Sequence, residues 1–439
     1  MTCPCPDHGS LRFPRRATTR RDVIRLALGG VGIAALGPTV ARRLPVASGA
    51  PLGNKILVIV YLDGGCDTLN AVIPTTLSNY YSRRPTIAIP LANQLSLAGG
   101  PSTSTYTLHP ELNSVRDLWN AVDVALVQRV GYPSPNLSHF ESQDIYAQAV
   151  RNGFGGLGIT ESGWVARFAD LYAPTPMGAV SIGMGRPTTF VGGSSNPLQV
   201  SSLSAFTFGG DQSAYAANQT YRLQVIQSLL AAASTTGTPG DVRDAIDQAH
   251  QLSGQVQTAL TNYNTYLSGT AITYPNTTLG RNLKDVAALL HGGFETRVFY
   301  TGFGGFDLHG AEGGVTGSQA TLLQRLDDAI KSFSDDMKNL GQWDNVVLGV
   351  FTEFGRRNFE NGSGGTDHAE SFSMMLMGGA VNGGTYGPDL TDPLLAGDNV
   401  AYAVDFRDVW REVVSDHLGA SAGPVFPETQ PTNTVLGVC

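Results

Sequence analysis

The sequence predicts an α/β fold: a three-layer α/β/α domain around a central, mostly parallel sheet, with a helical insertion. Three observations carry this. Near-continuous apolar runs such as "KILVIVYLDGG" and "NVVLGVFTEFG" end in polar or glycine-rich loops, as strands buried on both faces do. Helical patterns alternate with those runs in a βαβ rhythm. The 53 glycines among 439 residues suit shaped loops better than a helical bundle. The net charge of −8 offers no nucleic-acid footprint.

The elements follow in order. Residues 1–50 read as an export signal and linker. A basic segment with twin arginines (Arg20, Arg21) precedes an apolar stretch from Leu26 to about Val40, too short and glycine-rich to span a bilayer comfortably, then small residues before Ala50. The expected partner is the twin-arginine translocation machinery, and the expected location is periplasmic, cell-surface or secreted. The α/β domain is expected over 51–439. Its first strand ends at Asp63. "ELNSVRDLWN" reads as a helix and "DVALVQRVG" as a strand. A further helix begins near Glu141, "GWVARFADLY" makes another, and "AVSIGM" is a short strand. From about 190 to 280 the character becomes helical, with Val242, Ile246, Ala249, Leu252, Val256 and Leu260 on one face. Arg297 to Thr301 is the next strand. Leu322, Leu326, Ile330, Phe333, Met337 and Leu340 step by three and four, a strong helical pattern. "SFSMMLMGG" is a strand and "FRDVWREVVSDHLG" a closing helix. Cys66 and Cys439 are the cysteines beyond the leader, and a bond between them is open in an oxidising compartment.

The chemistry gathers where these strands end. Asp63 follows the first strand, Asp307 and His309 follow a late one, and Glu353, Asp367 and His368 follow another. Ligand sites of open α/β sheets lie at the carboxyl ends of the strands, so distant segments should meet there. Each residue also has a plainer reading, as a turn former, helix cap or satisfied histidine. Mixed imidazole and carboxylate ligands favour zinc, with magnesium or calcium as alternatives, and one or two ions are expected. Arg356 or Arg357 would pair with an anionic ester such as phosphate or sulfate. His139, between Ser138 and Glu141, is less easily explained as structural. His417 sits near a helix C-terminus, where a histidine satisfies carbonyls.

Seven segments carry a family resemblance: "LDGGCDTLNAVIP", "YYSRRPTIAIP", "LHPEL", "GYPSPNLSHFESQD", "TRVFYTGFGGFDLHG", "TEFGRRNFENGSGGTDHAESFSMMLMGG" and "DFRDVWREVVSDHLG". Through them the chain, from about 55 to 418, resembles an exported bacterial family catalogued as domain of unknown function 1501. That family is similar to a distant branch of the alkaline-phosphatase-like (sulfatase-like) superfamily. The resemblance implies a metal-dependent hydrolase of a phosphate or sulfate ester. It implies Asp307 and His309 on one metal, Asp367 and His368 on another, and Asp63 as the first-strand metal aspartate. Ser138 and Ser134, near His139, are the nucleophile candidates by position, with Arg356 offsetting anionic charge. The chain departs from the superfamily in having no unambiguous nucleophile, and its D-x-H spacing is tighter than usual. The alternative is an inactive relative acting as a binding or assembly protein at the cell surface. The sequence leaves the oligomeric state unknown.

Overall fold

The computed structural model describes residues 55–100, 105–149, 162–185, 187–207, 224–225, 228, 237–427 and 435–439. The expected leader, with Arg20 and Arg21, lies outside them. Among the described residues no helix is long and apolar enough to cross a membrane.

Nine strands form one sheet. They are β1 (Ile56–Asp63), β2 (Val124–Gly131), β3 (Ala179–Ile182), β4 (Leu198–Val200), β5 (Val298–Gly304), β6 (Val346–Phe351), β7 (Phe372–Met377), β8 (Gly384–Tyr386) and β9 (Val404–Asp405). The order is β8-β2-β7-β6-β1-β5-β3-β4, with β9 also pairing β2. All pairings are parallel except those of β7, which runs antiparallel to both β2 and β6. The principal helices are α1 (Asn113–Asn120), α2 (His139–Gln148), α3 (Trp164–Tyr172), α4 (Gly237–Ser268), α5 (Thr278–His291), α6 (Ser318–Asn339) and α7 (Phe406–Glu412).

The three layers follow from strand alternation. In β1, Val58, Val60 and Leu62 join one core with residues of α1, α4, α5 and α6. Leu57, Ile59 and Tyr61 join the other, with α2, α3 and α7. A strand buried on both faces therefore reads as a continuous apolar run, which is why β1, β6 and β7 were legible.

Two details differ from the sequence reading. The span expected to be helical contains the edge strand β4, because a three-residue run is too short to display a period. Helix α2 starts at His139 rather than near Glu141, so His139 stands in its first turn instead of on a loop. The reversed direction of β7 has a larger consequence. Its first residue, Phe372, lies at the edge where β1, β2, β5 and β6 end. The whole connection from Thr352 to Ser371 therefore stays on that edge. Cys66 and Cys439 are both free.

Candidate metal centre

The turn after β1 organises the edge. Gly64 and Gly65 have positive φ of 121° and 68°, and a Cβ on Gly64 would stand 2.4 Å from the Asp307 nitrogen. Only glycine permits both the turn and the close approach. The two amides point at Glu353: Gly64 N–H donates to Oε1 (3.0 Å) and Gly65 N–H to Oε2 (3.0 Å). The Thr352 hydroxyl donates to the Leu62 carbonyl at 2.7 Å and accepts from Cys66 N–H at 3.0 Å. This nest of donors cradles a buried carboxylate, and nothing in it reaches a phosphate.

Glu353 in turn holds His139, whose Nδ1 lies 2.7 Å from Oε1. Burial favours protonation of Glu353, yet the hydrogen bonds from His139 and the Gly65 amide hold its pKa below the ordinary value. The same bond raises His139, against its partial burial.

The other histidines repeat this arrangement. His368 Nδ1 lies 2.9 Å from the Leu137 carbonyl, and His309 Nδ1 lies 3.1 Å from Asp367 Oδ1. With each Nδ1 anchored, the three Nε2 atoms turn towards Asp307. His309 Nε2 is 3.0 Å and His368 Nε2 3.3 Å from Asp307 Oδ1, and His139 Nε2 is 3.5 Å from Oδ2. His309 and His368 Nε2 are 2.9 Å apart. Donor atoms of His139, Asp307 and His368 all lie within 4.8 Å of one another.

Asp307 is the pivot. Burial pushes its carboxyl up, but the hydrogen bond from Arg356, with the Arg356 charge, holds it down at about 2. His368 is lowered, first by burial. Phe354 packs against both His139 and His368, with ring centroids 4.8 and 4.4 Å away, and fixes their planes.

These residues fit a divalent metal. His139 Nε2 is buried with no hydrogen-bond partner among the described residues, an arrangement that is costly unless something accepts the lone pair. Anchoring of Nδ1 by a carboxylate or carbonyl is how proteins fix the tautomer and orientation of a ligating histidine. Asp307, Glu353 and Asp367 contact these histidines, against Arg356 on Asp307 and the Arg357 charge near Asp367, so added positive charge is favoured.

Several expected site residues lie elsewhere on the edge. Asp63 is outside the three-residue cluster: its Oδ1 accepts from the Tyr61 hydroxyl (3.3 Å) and from Gln143 Nε2 (2.9 Å). Asp367 orients His309 rather than joining the cluster. Arg356 is buried, donating to the carbonyls of Gly64, Gly65 (2.5 Å) and Thr366 (2.7 Å) and to Asp307 Oδ1 (2.7 Å). It braces three loops and does not face solvent, whereas Arg357 is part-exposed. Ser134 is exposed, with φ 53°. Ser138 caps α2 without a side-chain hydrogen bond. His417 bonds the Ile56 carbonyl (3.0 Å), at the opposite end of β1. The sequence reading placed Glu353 at a strand exit but not its grip on His139. The isolated "SHFE" segment at a helix start was the available signal for His139.

The two loops of the site are joined by backbone. Thr366 N–H donates to the Leu308 carbonyl (3.1 Å) and Glu312 N–H to the Gly364 carbonyl (2.9 Å). A Cβ on Gly365 would stand 2.4 Å from Leu308 O.

A family model described as "Protein of unknown function (DUF1501)" matches residues 189–418, more than half of the chain. The chain belongs to that family. The match covers β4 to α7, hence Asp307, His309, Glu353, Arg356, Asp367 and His368. No curated protein matches the chain. Solved structures give distant likenesses. A protein in the alkaline phosphatase superfamily from Vibrio parahaemolyticus shares 11% identity over 85% of this chain and 68% of its own, at TM-score 0.36. The sulfatase PsFucS1 from Pseudoalteromonas sp. shares 10% over 92% and 72%, at 0.37. The lipoteichoic acid synthase LtaP from Listeria monocytogenes shares 7% over 84% and 73%, at 0.35. No residue role is carried over from them.

Proposed function

We propose that the protein is an exported metal-dependent hydrolase acting on a phosphate or sulfate ester. The observation that carries this is the convergence of three anchored imidazoles on Asp307 at the carboxyl edge of the sheet. The substrate class comes from the family resemblance, and the leader supplies the expectation of export.

His139, Asp307 and His368 would hold the metal, with His309 beside them. Zinc suits this mixed donor set best. Bound there, the ion would supply Lewis-acid stabilisation of the charge that develops on the ester. The protein's own groups do the rest. Glu353, Asp367 and the Leu137 carbonyl keep each Nδ1 engaged, so that every Nε2 lone pair faces inward. Arg356 offsets the charge of Asp307 from behind. Ser138 precedes His139 at the start of α2, where the helix dipole favours negative charge on an attacking oxygen. Its hydroxyl makes no capping bond, and we assign it the nucleophile's role ahead of Ser134, which stands in the exposed part of the same loop.

The test is turnover of a panel of phospho- and sulfo-esters by chelator-stripped protein with and without added zinc. Zinc-dependent hydrolysis is expected in the wild type. Ser138→Ala should keep the metal and lose most of the rate, since an unactivated substitute is a poor nucleophile. Full metal occupancy with no turnover across the panel would contradict the hydrolytic reading and favour a metal-containing binding or assembly protein.

A further inference from the structure

A second site lies one helical turn from the metal cluster. Gln143, four residues after His139 on α2, marks the mouth of a cavity of about 290 Å³ between the sheet and helices α2, α3 and α7. That volume is near the lower end of small-ligand pockets, roughly 300–1,000 Å³. Six aromatic rings wall it: Tyr61, Tyr146, Trp164, Tyr300, Phe351 and Trp410. Their packing is continuous. Tyr61 stacks with Tyr300 at 6.5 Å and meets Phe351 at 5.2 Å, while Trp164 stacks with Trp410 at 5.7 Å.

The polar equipment is specific. Asp63 lines the cavity, and its Oδ1 is held by Tyr61 and Gln143. Among the described residues Oδ2 receives no hydrogen bond and Asp63 forms no ion pair, although the charge of His139 acts on it. No lysine or arginine appears in the described lining. The Tyr146 hydroxyl, on a residue only 4% exposed, has no hydrogen-bond partner among the described residues. A buried hydroxyl left in that state points to a missing ligand atom. The cavity also shares Asp63 and Met184 with a wider cleft of about 570 Å³, whose own lining carries Arg281 and Arg325.

We propose that this cavity binds an organic cation, an alkylammonium or quaternary ammonium group, on its aromatic faces with Asp63 as counter-charge. Ring faces attract cations, and a carboxylate without an ion pair at the mouth adds Coulombic preference over a neutral group of equal shape. A neutral aromatic or sugar ligand would use the rings but leave Asp63 uncompensated. The proposal stands on the cavity and does not require the hydrolytic reading.

The test compares two compounds of nearly the same shape, choline and the uncharged 3,3-dimethylbutan-1-ol, by isothermal titration and tryptophan fluorescence. Full-length, chelator-treated protein is used, so metal binding and turnover do not enter. Choline should bind at least about tenfold more tightly than the alcohol. Asp63→Asn should abolish that preference, and Tyr300→Leu, at a part-exposed ring, should weaken binding of choline. Equal affinity for the two compounds, or no response to either, would overturn the proposal on wild-type protein alone, whatever the folding of the variants. An undiminished preference in Asp63→Asn would overturn it as well.

Discussion

Two aspartate–histidine pairs stand on the same edge of the sheet and are used differently. In the loop after β5, Asp307 and His309 are separated by one residue and both turn towards the same point. In the connection before β7, Asp367 and His368 are adjacent. His368 begins a two-residue strand that pairs with Gly355–Arg356, in the register Arg356 opposite His368. Neighbours in extended chain point to opposite sides. His368 therefore reaches Asp307 beside its cross-strand partner Arg356, while Asp367 is left to hold His309 from outside. The lesson is that adjacency in a motif does not make two ligands. Local backbone decides which member reaches the ion and which orients a neighbour.

The largest effect expected from this comparison is on metal affinity in His368→Ala, which removes a donor. Isothermal titration with zinc should show a loss well beyond that of the orienting position. Asp367→Asn, in contrast, keeps the shape and loosens only His309, which stands beside the three donors, so the expected loss is smaller than the roughly 10–100-fold that follows from losing the partner of a ligating residue. Equal losses in the two variants would break the distinction.

A third expectation concerns pH. His139 has a raised pKa, from its bond to Glu353. Proton and metal compete for Nε2, so zinc affinity should fall as pH drops through that raised value, by up to about tenfold per pH unit for one proton. Glu353→Gln removes the charge behind the shift and should move the fall to lower pH. Titrations across a pH series check both.

The smallest effect is on stability. Glu312 is buried under the two loops, accepting from the Thr366 hydroxyl at 2.9 Å. Burial first, and then the nearby Asp67 charge, push its pKa well above the carboxylate range. The folded state thus keeps a proton that the unfolded chain has lost, so stability from this group falls as pH rises above the ordinary glutamate value. Glu312→Gln should flatten that dependence, seen as a smaller drop in Tm between pH 6 and pH 8.

Much of the fold was legible because β1 and β6 are buried on both faces and end in glycine or polar loops. The direction of β7 was not, since a doubly buried strand reads alike either way. That is also why Asp367 and His368 fell correctly on the carboxyl edge while the route that brings them there did not show. Asp307, His309 and His368 were visible as polar residues at strand exits. The role of Glu353 depends on amides of Gly64 and Gly65, 289 and 288 residues away in the sequence, and no local pattern announces such a bond. The two-residue pairing that splits Asp367 from His368 is too short to leave a period. Arg356 looked like a substrate-facing residue because burial of an arginine behind the carbonyls of Gly64, Gly65 and Thr366 depends on how distant loops close.

The central claim is that His139, Asp307 and His368 hold a single divalent ion, with Glu353 behind His139 and the Leu137 carbonyl behind His368. An anomalous difference map at the zinc edge, from crystals grown with zinc, tests it most directly. The account predicts a peak about 2.0–2.2 Å from His139 Nε2, His368 Nε2 and an Asp307 oxygen. A peak held by Asp63 or Asp367 instead, or no peak at this edge of the sheet, would contradict it.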